Sequence, residues 1–593
     1  MVSNNKKSGN AKKNTKNNSE KKNPVGVPTA PYNFVKLNDI VIDAPFFHKK
    51  SDDVIEQYKQ FLVSNKSLYS GYFEVFIENI TPLFIGSNTD SFFSDGTNYL
   101  IPGSSLRGAI KNYLKIITNG TMQYDEDPDV ADKLLYYRSF ASEYEPFRRV
   151  YKKAMTFTEK DGKKNDKSKG GFLVRSKKEY FICPADYDSV ENKKEAQSIT
   201  NTVKWNDTAV NVYTGPIDKK KIYHKITNPK WNERIVIPEK VLKAYCSDKN
   251  ANGMRLFDKD GNPILDFSKS AEGSGLQILK GAEQYDFVVP CFYVADNNIV
   301  KHFGTGPLYR IPYKKSIGEH IPVKLKRNHI DFSTAIFGNK EKWESRVFFE
   351  NLYLIDSKGD DFEDKHLLTP LLSANPTSFQ NYLEPKGKNA AHWDDSTNIR
   401  GYKLYWHKRC AWQMKSAENK QNEDITKFIA PLKEGHIFAG KIRFENLCME
   451  ELGALAKVLS LGEDGSSAYK LGMGKSIGLG SVHLSSDLYI QSSKYYSRLF
   501  SDGGFYDGLE SVDKKNYIKS FEDYVNNVLK DKQESLECYH ERMTELKMIM
   551  NEKHLEEGDE WAKKTAYMDI DDENDAALAN SRIPLPSIKE VVK

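Results

Sequence analysis

The residues with the plainest chemical potential lie in one stretch, Ile101-Pro102-Gly103-Ser104-Ser105-Leu106-Arg107-Gly108-Ala109-Ile110-Lys111-Asn112. A loop of proline, glycine and two serines opens directly into an apolar-periodic run. Ser104 or Ser105 is expected to cap the helix that follows, its hydroxyl accepting an orphan backbone N–H of the first turn. Arg107 and Lys111 lie one helical turn apart and share a face. Free N–H groups, a positive helix end, hydroxyls and two cations in one place form an anion site, and a run of phosphates is the obvious anion. Taken alone, the segment is equally well explained as an ordinary capped helix with two solvated cations.

A second candidate is the glycine-rich loop Leu471-Gly472-Met473-Gly474-Lys475-Ser476-Ile477-Gly478-Leu479-Gly480. Gly-Lys-Ser ends a P-loop, but the first glycine of that motif falls on Tyr469, and here a helix precedes and a strand follows. A Walker ATPase is therefore set aside. Closely spaced glycines allow a close backbone approach to a partner, with Lys475 and Ser476 offering donors. A tight turn packed on a sheet is the competing explanation. Gly401-Tyr402-Lys403-Leu404-Tyr405-Trp406-His407-Lys408-Arg409 mixes cations with aromatics. It suits RNA stacking and phosphate contact, or a strand that packs Tyr402, Leu404 and Trp406 together. His302, near Arg310 and Tyr313, reads as a structural histidine. No His/Cys/Asp cluster has metal-ligand spacing, and no G-x-S-x-G elbow occurs.

These segments need elements to hold them. Phe73, Val75 and Ile77 alternate with polar residues, so 71–80 is a strand. The Pro-Gly-Ser-Ser helix runs to about Thr118. A strand is expected over 346–354 and another over 436–446. In the latter Phe438, Ile442 and Phe444 share one face with Gly440, and Lys441 and Arg443 make the other face basic. Leu452, Leu455, Ala456 and Leu459 place a helix over 449–461, and a strand covers 481–490. Residues 513–557 are long, charged and periodic, contain no Pro or Gly, and read as one helix or a pair. Asp569 to Asp575 reads as a mobile acidic tail.

With 593 residues, the chain predicts two to four modules. Apolar residues make up 39% and no run approaches a membrane span. The N-terminus lacks the apolar core of a signal peptide. Residues 1–23 hold seven lysines and one glutamate, with little to bury, and read as a disordered tail. Cys183, Cys246, Cys291, Cys410, Cys448 and Cys538 form no C-x-x-C pair, which fits a reducing cytoplasm and argues against a disulfide framework or structural zinc. A net charge of +5 does not force nucleic-acid binding, so contacts must come from local clusters.

The elements run strand, helix, strand, strand, helix, strand, the ferredoxin-like order. With Pro82-Leu83-Phe84-Ile85-Gly86-Ser87, Ile101 to Gly108, and the glycine-rich loop after the last helix, the chain resembles the RAMP superfamily of CRISPR-associated proteins, specifically the backbone subunits of type III effector complexes. Ala335-Ile336-Phe337-Gly338 with Ser345-Arg346-Val347-Phe348 is similar to the Phe-Gly...Arg-Val segment of that family. Ala30-Pro31-Tyr32-Asn33-Phe34-Val35 and the segment from His302 to Arg310 resemble a large, insertion-bearing branch.

The resemblance implies an α+β chain with a ferredoxin-like, RRM-like RAMP core. Its division would be a disordered basic tail (1–30), the first part of the core (31–120), an insertion module of irregular α+β character (121–334), the second part of the core with the glycine loop (335–490), and a helical C-terminal region with an acidic tail (491–593). It implies a cytoplasmic protein, with no membrane partner, that binds guide CRISPR RNA and target RNA among other RAMP subunits. Ser104, Ser105, Arg107 and Lys111 would bind guide backbone, and Gly472, Gly474, Lys475 and Gly478 would line the same path. A thumb-like hairpin would interrupt the guide–target duplex at intervals. Beside it an aspartate with Mg²⁺ would cut the target, and the matching residue is Asp90, with Asp95 as runner-up. The competing readings are a non-catalytic scaffold whose insertion contacts neighbouring subunits, and a metal-free processing endoribonuclease using His483.

Overall fold

In Tyr69–Asn79 the side chains of Phe73, Val75 and Ile77 are fully buried and Tyr72, Glu74 and Glu78 face outward, the period of two that makes a half-buried strand. This is β1. The computed structural model describes residues 26–593 apart from most of 46–67, then 87–89, 123–133, 139–144, 159–163, 191–204, 213–222, 248–280, 340–343, 369–376, 410–426, 493–507 and a few shorter gaps. The basic tail expected over 1–30 lies outside the described residues as far as residue 25.

Helix α1 (Gly103–Ile117) follows β1 and buries Leu106, Ile110, Leu114 and Ile117 at helical spacing. Strand β2 comes in two pieces, Val347–Phe349 and Leu352–Leu354. Then come β3 (Ile437–Leu447), helix α2 (Met449–Leu459) and β4 (Ser481–Gln491). β1 lies between β4 and β3, and β2 pairs on the far side of β3, every pairing antiparallel. A βαββαβ chain arranged this way is a ferredoxin-like fold. Both helices pack on the apolar face of the sheet, where Phe73, Phe438, Phe444, Leu452, Leu455 and Leu488 join one core.

The outward face is not the basic surface expected from Lys441 and Arg443. Lys441 stands opposite Glu74, its Nζ 4.3 Å from the centre of the Tyr72 ring, and Arg443 pairs with Glu350 at 2.9 Å. Asp487 also stands opposite Glu74 from β4. The face is therefore of mixed charge, because neighbouring strands supply acids that a single strand's sequence does not display.

The Phe-Gly...Arg-Val segment is an anchor. Arg346 is buried and forks onto Glu451 of α2, Nη1 donating to Oε2 at 2.9 Å and Nη2 to Oε1. It also donates to the carbonyls of Asn446 at 2.7 Å and Ala335 at 2.9 Å. Strand β2, helix α2 and the short helix Phe332–Phe337 are thereby tied together.

The segment between α1 and β2 is more β-rich than expected. Lys169–Ser176, Glu179–Pro184, Ile235–Val236, Phe287–Asp296 and Ile299–Gly304 close into a barrel. A four-stranded sheet lies alongside it in sequence, built from Asp186–Val190, Trp205–Asn206, Ala209–Val212 and Tyr223–Thr227. The strand from Phe287 is buried on both sides. Val288 and Phe292 enter one core while Phe287, Val289, Cys291 and Tyr293 enter another. A strand covered on both faces has no polar alternation to reveal it. The lysine-rich stretch from Lys160 also contains a short strand, Lys164–Asp166.

The C-terminal region is helical, with α3 (Lys515–Leu529) and α4 (Gln533–Met550) forming the expected pair. The acidic stretch expected to be mobile instead starts a helix, Glu573–Ser581. Asp572 caps it by accepting the N–H groups of Asn574 and Asp575, each at 3.0 Å. Arg542 of α4 is fully buried and donates through Nε to the carbonyl of Ile116 at 3.2 Å, and Tyr539 donates to the carbonyl of Ile117. A cation and a hydroxyl thus satisfy the C-terminal carbonyls of α1, and the C-terminal layer holds the helix that carries the serines.

A buried pair, Asp361 and His436, contributes to stability in a pH-dependent way. Asp361 accepts from His436 Nε2 at 3.0 Å, from Ser357 Oγ at 2.5 Å and from the Lys358 N–H at 2.7 Å. Burial alone would raise its pKa, but these bonds outweigh burial and bring it down to about 2. The folded value lies below the unfolded one. The contribution is therefore complete above the ordinary carboxylate range, near 4, and is lost as pH falls through about 2. In Asp361→Asn, acid unfolding should show a shallower pH dependence across that window. A profile identical to wild type would contradict the assignment.

Candidate nucleic-acid interface

The serines do not cap α1. The helix begins at Gly103, Pro102 occupies the N-cap position, and no side chain from the cap itself bonds the first turn. The Gly103 N–H is instead taken by Asn351 Oδ1 at 3.1 Å, a residue from the break in β2. Ser104 and Ser105 are thereby left on the first turn, where both line a cleft of about 570 Å³.

The opposite wall of that cleft is the glycine loop. Its backbone is laced to the Pro82–Gly86 segment, Met473 N–H to Phe84 O and Gly480 N–H to Pro82 O, both at 2.9 Å. Gly472, Gly474, Gly478 and Gly480 all have positive φ. At Gly472 (φ +78°) a β-carbon would stand 2.4 Å from Phe84 O, and at Gly480 (φ +72°) 1.9 Å from Leu471 O. The loop is a fixed turn packed against its neighbours, as the competing explanation expects, and it also walls the cleft. Gly480→Ala should cost more than about 1 kcal/mol, since both the dihedral and the space exclude a side chain. Thermal unfolding measures it, and an unchanged midpoint would contradict the placement.

The floor comes from a segment the sequence places elsewhere. Gly401–Tyr405 pairs antiparallel with Tyr32–Lys36. Tyr402, Leu404 and Trp406 are buried, as a packing strand requires, and the alternate residues Lys403 and Tyr405 line the cleft. Lys470 and Lys475 join Lys403 in the lining, and among the described residues no Asp or Glu lines the cleft. Lys403 holds its ammonium 3.9 Å from the centre of the Tyr32 ring, and Lys475 donates to Gly472 O. Desolvation lowers the pKa of both. Ammonium groups drawn partly out of water and facing no carboxylate in the cleft favour an anionic ligand.

The structure brings Ser104, Ser105, Gly472 and Lys475 together and separates the other expected residues from them. Gly474 packs against Leu479, and Gly478 against the backbone of Lys408 and Arg409. Arg107 donates to Phe337 O at 3.0 Å and lies over the Phe337 ring, on the side of the Phe-Gly segment. Lys111 is half-buried and does not line the cleft. Asp90 is exposed and does not line it either, but it lies two residues before Phe92, whose bridge partner Gly86 does. Asp95 is exposed and spends Oδ1 on the N–H groups of Thr97 and Asn98, at 2.9 and 2.8 Å, bonds that hold its carboxyl below its usual range. It is a turn former. His302 accepts or donates at Tyr309 Oη, 2.8 Å away, and burial pushes its pKa down to about 4, so it is structural. His483 pairs with Glu552 and does not line the cleft.

Among the described residues no group of three or more His, Cys, Asp or Glu is placed to hold a metal ion. Asp90 supplies a single carboxylate, and the described residues do not by themselves assemble a Mg²⁺ site. No helix among them is long and apolar enough to cross a membrane.

Fold and site define a ferredoxin-like protein with a lysine-lined cleft between a serine-bearing helix and a glycine loop. The model of one family, the RAMP superfamily, matches residues 76–262 and 308–483, more than half of the chain, and both matched segments contribute to the cleft. The chain belongs to the RAMP superfamily and is a CRISPR-associated protein, a class with RNA-binding roles. No curated protein matches it.

Proposed function

We propose that this protein is a guide-RNA-binding backbone subunit of a type III CRISPR effector complex, with the sugar–phosphate chain of the guide lying in the cleft between α1 and the glycine loop. The observation that carries this reading is the meeting of the family's separated motifs around one cavity whose charged lining residues are all lysines. The hydroxyls of Ser104 and Ser105 in the lining add donors suited to phosphate oxygens. The cytoplasm, a target RNA and neighbouring RAMP subunits are the setting this reading supplies. A purified complex containing the chain should carry a short RNA of uniform 5′ sequence. Recovery of a complex free of RNA would count against the reading.

In this reading Asp90 carries target cleavage; it stands two residues before Phe92, which bridges Gly86 of the cleft lining. An Asp90→Ala variant in the assembled complex should lose one periodic cut in the target while binding is retained. An unchanged cutting ladder would identify the chain as a non-catalytic scaffold of the same complex.

A further inference from the structure

The Ala30-Pro31-Tyr32-Asn33-Phe34-Val35 motif has no role in the cleft as described so far, yet its strand pairs with the strand that carries Lys403 and Tyr405 into the cleft lining. Tyr32 stands opposite Tyr405, and Phe34 opposite Lys403. The Tyr32 ring is buried and surrounded by rings from distant parts of the chain: Tyr405 at 6.1 Å, Tyr382 at 6.3 Å and Tyr567 at 6.3 Å. Tyr405 lines the cleft itself, and the Lys403 ammonium lies 5.3 Å from its ring centre. Packing explains why Tyr32 is covered. It does not explain why Tyr567, on the rim of the same cluster, keeps 47% of its surface in water. A buried Tyr32 ring, a half-buried Tyr405, an exposed Tyr567 and the Lys403 ammonium beside Tyr32 and Tyr405 form a surface to which a flat, electron-rich ring attached to a phosphate would be complementary.

We propose that this aromatic shelf is a nucleobase-stacking site, in which a base of the bound RNA leaves the backbone path and lies against Tyr567 and Tyr405 while its phosphate meets Lys403. The proposal rests on the reading of the cleft as an RNA path and adds a contact which that reading does not require. Stacking is sequence-tolerant, since every base has a π face, so the shelf grips one nucleotide position without selecting its identity.

The test uses the full chain and single-stranded RNAs carrying 2-aminopurine at successive positions. One position should be quenched on binding. Tyr567→Ala should abolish that quenching and weaken binding about tenfold, with the salt dependence unchanged because no phosphate contact is lost. Tyr567→Phe should restore both, a rescue that a hydrogen-bonding role for the hydroxyl would not give. If Tyr567→Ala binds and quenches like wild type, the shelf is overturned while the cleft stands. If the wild-type chain binds none of the RNAs, both fall.

Discussion

Arg346→Ala should destabilise the protein by about 3–5 kcal/mol, the cost of leaving a buried charge without its partner. Arg346 is 7% exposed and Glu451 1% exposed. The arginine serves Glu451 and the carbonyls of Asn446 and Ala335 together, so its loss strands a carboxylate and two acceptors at once. Glu451 has a second duty, accepting the Cys448 N–H at 3.1 Å at the start of α2. Arg346→Lys should recover only part of the loss, because an ammonium cannot reproduce the fork. Replacing both partners, as in Arg346→Met with Glu451→Leu, should cost less than Arg346→Ala alone, since no charge is then buried unpaired. Denaturant unfolding of the three variants reads the effect. A single variant within about 1 kcal/mol of wild type would contradict a buried, fully engaged pair.

The second large effect concerns the cleft. Lys403→Ala combined with Lys475→Ala removes two ammonium groups from the lining, and with the second the bond to Gly472 O, while keeping the serines and the glycines. If each meets one phosphate, the slope of log K against log salt should become shallower by about 1.4, from roughly 0.7 per contact on a single strand. At 0.1 M salt that corresponds to a loss of about 25-fold in affinity for single-stranded RNA. Thermal unfolding of the double variant guards against a collapsed cleft. A wild-type salt slope in a folded variant would remove these lysines from the RNA path.

How much of this could be read from residues alone depends on where each signal resides. The ferredoxin-like core was legible because β1, β3 and α2 each carry their apolar row at the period of their own element, as in Phe73, Val75 and Ile77. The pairing of the serine helix with the glycine loop was legible only through the order of motifs. Lys403 and Tyr405 were within reach, because once Tyr402, Leu404 and Trp406 are assigned to the buried face of a strand, their neighbours must face the other way. The cap of α1 was not, because Asn351, which supplies it, lies far along the chain. The same is true of the acids that neutralise Lys441 and Arg443, and of Phe337, which takes up Arg107. The barrel escaped because its central strand is apolar on both faces. The acidic stretch near Asp572 looked solvated in sequence, but the same charges suit a helix N-terminus.

Photocrosslinking is the most direct test that RNA occupies the cleft. With the full chain bound to a short single-stranded RNA bearing photoreactive bases, crosslinked peptides should map to 101–113, 401–406 and 469–480. Excess unlabelled RNA should suppress them, and the Lys403→Ala, Lys475→Ala variant should lose them. Crosslinks concentrated on the open face of the sheet, around Tyr72, Lys441 and Tyr489, with none at the cleft, would show that RNA takes a different path and that the central assignment is wrong.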